Sequence, residues 1–408
     1  MKHLQSALLL CAFGFVLKAG AQTVAPQPQP VSFKQALAQI VQNNTTLKAL
    51  QGDFESARLQ NSADLCMPDP ETEVTYAKGS PKGVPSRTNV SVTQSLDWGV
   101  LTGKRRRLAK ANDALAHASY HVEAQKVMAE ADEALVSLIY SNKLCAELER
   151  RDLQAQELAR LYNRKYEQGD ISQVELNKVN LNSAVSHAEL QRARTERMSA
   201  LQNVQRLNGG VALELTDTVY PYADSALPPL SEMQAAVVGG ANVRAAEQVV
   251  AQNKAQAALT RVQGWPTFTV GFQGEYVKDN NYNGLSVGFT VPVWGSTRRQ
   301  LKSARSMVAT SQLDVEDMRL QQSALLAQKY NAAVSLTESA ERLRLQLQST
   351  CNMDLLHRSL DEGQISLPDF LLDSSFYYTA RTAQLEAERD AQLALSQLRG
   401  MLYDDCSE

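Results

Sequence analysis

The stretch "HASYH" sets His117 and His121 four residues apart, a spacing that puts two imidazoles on one helix face, where they can share a metal ion. No cysteine or carboxylate partner stands beside them, so they read as solvated helix histidines and no metal site is expected. Other chemistry is equally sparse. The chain has no glycine-rich phosphate loop and no nucleophile elbow, so neither a cofactor nor an enzyme activity is expected. "KRRRLAK" (104–110) suits either an interface with anionic headgroups or a plain solvated charge run. Cys66, Cys145, Cys351 and Cys406 lack the close spacings of metal sites or disulfide scaffolds and read as unpaired.

With so little for side chains to catalyse, the elements themselves become the subject. The 408 residues are 44% hydrophobic but only 6% aromatic, and rich in good helix formers, the profile of long packed helices. The 41 basic and 44 acidic residues are evenly spread, with no polybasic surface for nucleic acid. Residues 1–21 read as a signal peptide: a basic start at Lys2, an apolar run from Ala7 to Leu17, and Ala19-Gly20-Ala21 as a cleavage site, with the mature chain starting at Gln22. A lipid anchor on Cys11 is the weaker reading, because the apolar run before it is too short. Nothing else has the roughly 20 unbroken apolar residues of a membrane helix, so any crossing must be made by strands.

The chain repeats itself. "QSLDWG" (94–99) resembles "TVPVWG" (290–295) at an offset of 196, and "YEQGDISQVEL" (166–176) resembles "LDEGQISLPDF" (360–370) at an offset of 194. Two landmarks at nearly one offset predict a tandem duplication. The first repeat spans 22–207, a Gly/Pro-containing linker 208–230, the second repeat 231–402 and a tail 403–408. Each half predicts helix, strand pair, very long helix, glycine turn and helix. The helices are expected at about 32–65, 104–168 and 172–207, then at 231–262, 297–362 and 368–398. Two short helices end to end match one long helix, which puts the strand pairs at one end of a bundle, the turns at the other and the linker at mid-height.

The strand pairs, 71–98 and 267–294, alternate. Thr72, Val74 and Tyr76, then Val90, Val92, Leu96 and Trp98, oppose polar neighbours, as do Phe268, Val270, Phe272 and Tyr276, and Leu285, Val287 and Phe289. The other face carries Glu71, Glu73, Asp97 and Glu275 and, in this register, no Lys or Arg. Trp98, Trp265 and Trp294 fall at the helix-side ends and Tyr76, Tyr276 and Tyr282 toward the far ends, as two interfacial girdles would. Strands of nine or ten residues fit a tilted bilayer span. The competing reading is a sheet with one face on a protein core. Four strands are too few to close a membrane barrel, and open edges have no partners in lipid, so several chains must contribute to one.

This layout resembles the TolC-like outer-membrane efflux channels, most sharply in "TVPVWGSTRRQLKSA" (290–304), its partner "QSLDWGVLTGKRRRLAKA" (94–111), and the two turns. The resemblance implies a mainly α fold with a small membrane β-barrel. Duplicated long-helix hairpins would form a trimeric tunnel below a shared twelve-stranded barrel, in the outer membrane of a Gram-negative bacterium and reaching into the periplasm. It also implies a homotrimer docked to a periplasmic adaptor and an inner-membrane pump of RND or ABC type, with outer-membrane lipid around the barrel. The adaptor would meet the turns at Tyr166, Gly169, Ile171, Ser172, Gly363, Ile365 and Ser366. There the glycines suit helix C-caps and the serines N-caps, with Pro368 in the first turn. Asp369 aligns with an acid lining the periplasmic aperture; a helix N-terminal Asp favoured by the dipole is the equal alternative. Leu360 stands where the family has a Tyr, so a tyrosine gate contact is not expected. A periplasm-spanning structural trimer without transport is the rival reading.

Overall fold

The computed structural model describes residues 32–81, 83–96, 99–221, 227–290, 295–350 and 352–403. The signal segment, Asp97, Trp98, Trp294, Cys351 and Cys406 lie outside the described residues. The first half runs α1 (Phe33–Asn43), α2 (Thr45–Ala63), β1 (Glu71–Ala77), β2 (Arg87–Leu96), α3 (Gly99–Glu167) and α4 (Gln173–Leu207). The second runs α5 (Leu230–Val238), α6 (Ala241–Gln263), β3 (Thr267–Val277), β4 (Asn280–Thr290), α7 (Ser296–Thr350), α8 (Met353–Asp361) and α9 (Leu367–Gly400). At 1.5 Å per residue the 69 residues of α3 extend about 100 Å.

Three helices expected to be continuous are broken. The helix expected at 32–65 divides at Asn44, whose Oδ1 accepts from the Leu47 N–H (2.9 Å) while its Nδ2 donates to the Leu207 carbonyl (2.9 Å). One buried amide thus caps the start of α2 and satisfies the last carbonyl of α4, two groups that a helix end otherwise leaves unpaired. Beside it Asn43 Nδ2 donates to Asn208 Oδ1 at 3.0 Å, so α4 and α2 meet end to end. The helix expected at 231–262 stops at Gly239-Gly240, which separate α5 from α6. The long helix expected at 297–362 is α7 plus α8, and α8 buries none of its residues.

The main core sits at mid-height. Ile40 of α1, Leu135, Leu138 and Ile139 of α3, Val204 of α4, Met233 of α5, Leu326 of α7 and Leu398 of α9 all join it. Leu213, Leu215 and Tyr220 of the connecting segment are buried in the same cluster. Asn142 Nδ2 fastens that segment by donating to the Leu215 carbonyl (2.9 Å) and the Asp217 carbonyl (3.2 Å). Smaller clusters lie toward the turns (Ala159, Tyr162, Leu176, Val179, Leu367) and toward the sheet (Leu101, Leu259, Val262). Among the described residues, none of these clusters includes a strand residue.

The four strands form one antiparallel sheet in the order β1-β2-β3-β4. The outer edges of β1 and β4 are unpaired among the described residues. The β3–β4 turn is only Lys278-Asp279, with Asp279 at φ 75°. β4 therefore begins at Asn280, earlier than the sequence pattern places it.

Candidate functional site: the exposed sheet and the hairpin turns

Register mates in a sheet share a face, so the pairing assigns every strand residue to one side. Val74 pairs Val90, Val92 pairs Phe272, Leu96 pairs Phe268, and Phe272, Val270 and Phe268 pair Leu285, Val287 and Phe289. Apart from Gln94 beside Val270 the core of this face is apolar, and nothing among the described residues covers its β4 side. Leu285, Val287 and Phe289 keep 85%, 70% and 70% of their surface, against 0% for Leu138 in the core. A face of that size left in water would cost far more than a soluble sheet tolerates, at about 25 cal/mol per Å². The reading in which one face packs on a protein core is overturned.

The opposite face is polar and built of small residues. Glu71 pairs Thr93, Glu73 pairs Ser91, Gln273 pairs Gly284 and Thr269 pairs Gly288. A Cβ on Gly288 would stand 2.5 Å from Thr269 Oγ1, so side chains already crowd there. Two expectations are corrected. β2 starts at Arg87, two residues before Asn89, which places an arginine on the polar face; its Nη1 lies 3.6 Å from Glu275 Oε1. Tyr282 pairs Glu275 and so belongs to the polar face, not to an outward girdle with Tyr76 and Tyr276. Tyr76 and Tyr276 flank Thr88 on the apolar face, and Trp265, about half exposed, sits at the helix-side end of β3.

At the other end the two turns are built alike. Gly169 (φ 80°) and Gly363 (φ 71°) adopt the left-handed conformation that glycine enters cheaply. The Asp170 N–H reaches back to the Lys165 carbonyl (2.9 Å) and the Gln364 N–H to the Ser359 carbonyl (2.8 Å), the pairing of a Schellman cap. Each following helix opens on a serine: Ser172 Oγ accepts from the Glu175 N–H and Ser366 Oγ from the Asp369 N–H, both at 3.3 Å. The Ser172 backbone N–H, with help from its hydroxyl, holds the Glu175 carboxyl below the ordinary glutamate range.

Asp369 is exposed and accepts a hydrogen bond from the Ser366 hydroxyl at 2.5 Å, so within one chain it serves the helix N-terminus. Tyr166, Ser172, Ser366 and both glycines face solvent, Ile365 is half-buried, and Ile171 packs against the cluster of Tyr162, Leu176 and Leu367. Leu367, in the segment "ISLPDF", is the residue sequence reasoning missed here: it ties the second turn to α3. The histidines do converge, with His117 and His121 Nε2 atoms 3.3 Å apart beside Phe54, but no group of three metal-ligating side chains forms among the described residues. No described helix is long and apolar enough to cross a membrane. Cys66 and Cys145 are free thiols.

No protein-family model matches this sequence, and no curated protein matches it. Solved structures do. CusC, studied for conformational changes accompanying folding and transmembrane channel formation, shares 13% identity over 91% of this chain and 92% of its own, with a TM-score of 0.75. The open-state MtrE outer-membrane channel of Neisseria gonorrhoeae shares 17% over 91% of this chain and 88% of its own (TM-score 0.74). The CmeC outer-membrane channel of Campylobacter jejuni shares 13% over 99% and 96% (TM-score 0.68). Over 91–99% of its length the chain has the fold of these channels, and the TolC-like resemblance read from the sequence holds at that level.

Proposed function

We propose that this chain is one subunit of an outer-membrane exit duct, the passive conduit of a tripartite efflux or type I secretion system, in a Gram-negative bacterium. The observation that carries the reading is the sheet: an exposed apolar face, a polar face of small residues, and two unpaired edges. Lipid covers an apolar face but offers nothing to unpaired backbone groups. The edge of β4 therefore pairs with β1 of the next copy, and a homotrimer closes twelve strands into one barrel around a polar lumen. The likeness in fold to CusC and MtrE supports the same arrangement.

Below the barrel the helices continue the lumen through the periplasm. The turns at Gly169 and Gly363, farthest from the sheet and exposed, form the docking end for a periplasmic adaptor that couples the duct to an RND or ABC pump. Asp369 carboxylates from three chains converge at the closed aperture, and rearrangement of the hairpins opens it with energy supplied by the pump. Conductance in planar bilayers tests the reading. A duct gives discrete ion-conducting steps, whereas a structural trimer without transport gives none. In the same apparatus, loss of multivalent-cation block in Asp369→Ala supports the aperture role, and an unchanged block returns that residue to helix capping alone.

A further inference from the structure

Between α3, α7 and α9 lies a cavity of about 320 Å³ lined by Arg150, Arg344, Leu347, Gln348, Tyr377, Arg381 and Gln384. Three arginines line it, and among the described residues no carboxylate does. Arg150 and Arg344 each lie 19 residues before their turn glycine and Arg381 lies 18 after Gly363, so three separate helices bring their charges to one height, about 28 Å above the turns.

The neighbouring acids are already committed. Glu147 is held by Arg150 (2.9 Å), Arg151 (2.9 Å) and Arg381 (3.8 Å), and Glu341 by Arg344 (2.7 Å). Arg151 is buried and also donates to Thr382 Oγ1 and the Tyr378 carbonyl, both at 3.1 Å. Farther along α9, beyond Glu386, Glu388 is paired with Lys143. One further feature points to a ligand: the Tyr377 hydroxyl is buried and has no hydrogen-bond partner. An unsatisfied buried hydroxyl is costly, and Tyr377 lines this same cavity with the three arginines.

We infer that this cavity is a binding site for a doubly charged tetrahedral oxyanion, inorganic phosphate or a small phosphomonoester. Such an ion offers acceptors to three forks of N–H donors and to the Tyr377 hydroxyl, geometry that guanidinium groups match bidentately. Their side chains keep 61% (Arg150), 43% (Arg344) and 39% (Arg381) of their surface, so the ion exchanges with solvent. Once bound it braces α3 of the first hairpin to α7 and α9 of the second. The inference uses contacts within one chain and stands whether or not the protein conducts ions.

Calorimetric titration of the purified full-length protein with inorganic phosphate, in chloride buffer of constant ionic strength, tests it. Saturable binding is expected, with a rise in the unfolding midpoint that chloride does not reproduce. Arg344→Gln, which removes one of the three guanidinium forks, should weaken phosphate about tenfold. Tyr377→Phe keeps the ring and removes only the donor, and should weaken it several-fold. A parallel titration with glycerol phosphate distinguishes the free ion from a monoester: equal affinity identifies a monoester-tolerant site, and loss of binding restricts it to the free ion. Absence of saturable phosphate binding, or equal affinity in wild type and Tyr377→Phe, overturns the inference. If Arg344→Gln fails to assemble, Tyr377→Phe decides alone.

Discussion

The mid-height core and the sheet use the same residue types to opposite ends. Leu135, Leu138, Ile139 and Leu398 are buried by their own chain, whereas Leu285, Val287 and Phe289 are offered outward by strands with no layer behind them. The core carries its own cover. The sheet needs one from outside, and on the proposed function that cover is lipid on one side and further strands at both ends.

The contrast breaks most visibly under truncation. Leu138→Ala should destabilise the helical bundle by about 2–5 kcal/mol, while Val287→Ala should leave helix unfolding in denaturant nearly unchanged; equal losses would mean that the sheet face is packed after all. Next in size, Phe289→Arg should cost about 2–4 kcal/mol of membrane insertion if it sits near the bilayer centre. Fractionation should then show a helical protein lost from the membrane, and full retention would remove lipid as the cover.

At the opposite end, Gly169→Trp with Gly363→Trp strains each left-handed position by about 1 kcal/mol. Open space surrounds both sites, so the assembly should persist while export and adaptor crosslinking fail. Normal export would return the turns to plain hairpin chemistry. Smaller again is the effect inside the sheet. Glu71, Glu73 and Glu275 should make the lumen cation-preferring, with Arg87 offsetting one charge through an exposed pair worth about 0.2–1 kcal/mol. Reversal potentials should shift toward cations in Arg87→Gln and toward anions in Glu73→Lys with Glu275→Lys. No movement in either would place these residues off the conduction path.

The smallest effect belongs to the core's own electrostatics. Burial, with Asp132 and Glu130 nearby, raises the Glu133 carboxyl above its ordinary range despite Lys329. A raised acid favours the folded state most below the ordinary carboxylate range, and that advantage is lost as pH rises through the folded value. The unfolding midpoint of Glu133→Gln should therefore gain on wild type as pH rises above the ordinary carboxylate range. A constant difference would show that Glu133 is effectively solvated.

Strand alternation was legible because a face that meets lipid must be uniformly apolar, and the period of two survives in "TFTVGF" and "LSVGF" without help from context. Strand ends were less so. Arg87 and Asn280 lie outside the alternating apolar runs, and only pairing with Val277 draws both into the ladder. The same pairing sets Tyr282 on the polar side, since a two-residue turn leaves no freedom in register. Helix breaks hid for another reason. Gly239-Gly240 was a visible signal, but the break at Asn44 depends on Leu207, more than 160 residues away, and no local pattern encodes such a partner. The arginine cavity was equally invisible, because its three charges come from three helices whose heights coincide only once both turns are placed.

Asn44 also gives the molecule a mechanical character. In the first half, α3 is a single uncut rod from the turn to the foot of the sheet, while the parallel column of α4 and α2 is spliced at mid-height by Asn43, Asn44, Leu207 and Asn208. Two columns of unequal torsional stiffness, clamped side by side, do not share a twist evenly. The spliced one yields at its joint, where a few hydrogen bonds take up rotation that a continuous backbone would pass along. A torque applied at the Gly169 end thus reaches the sheet through α3, while the column of α4 and α2 takes up its share at the waist of the molecule.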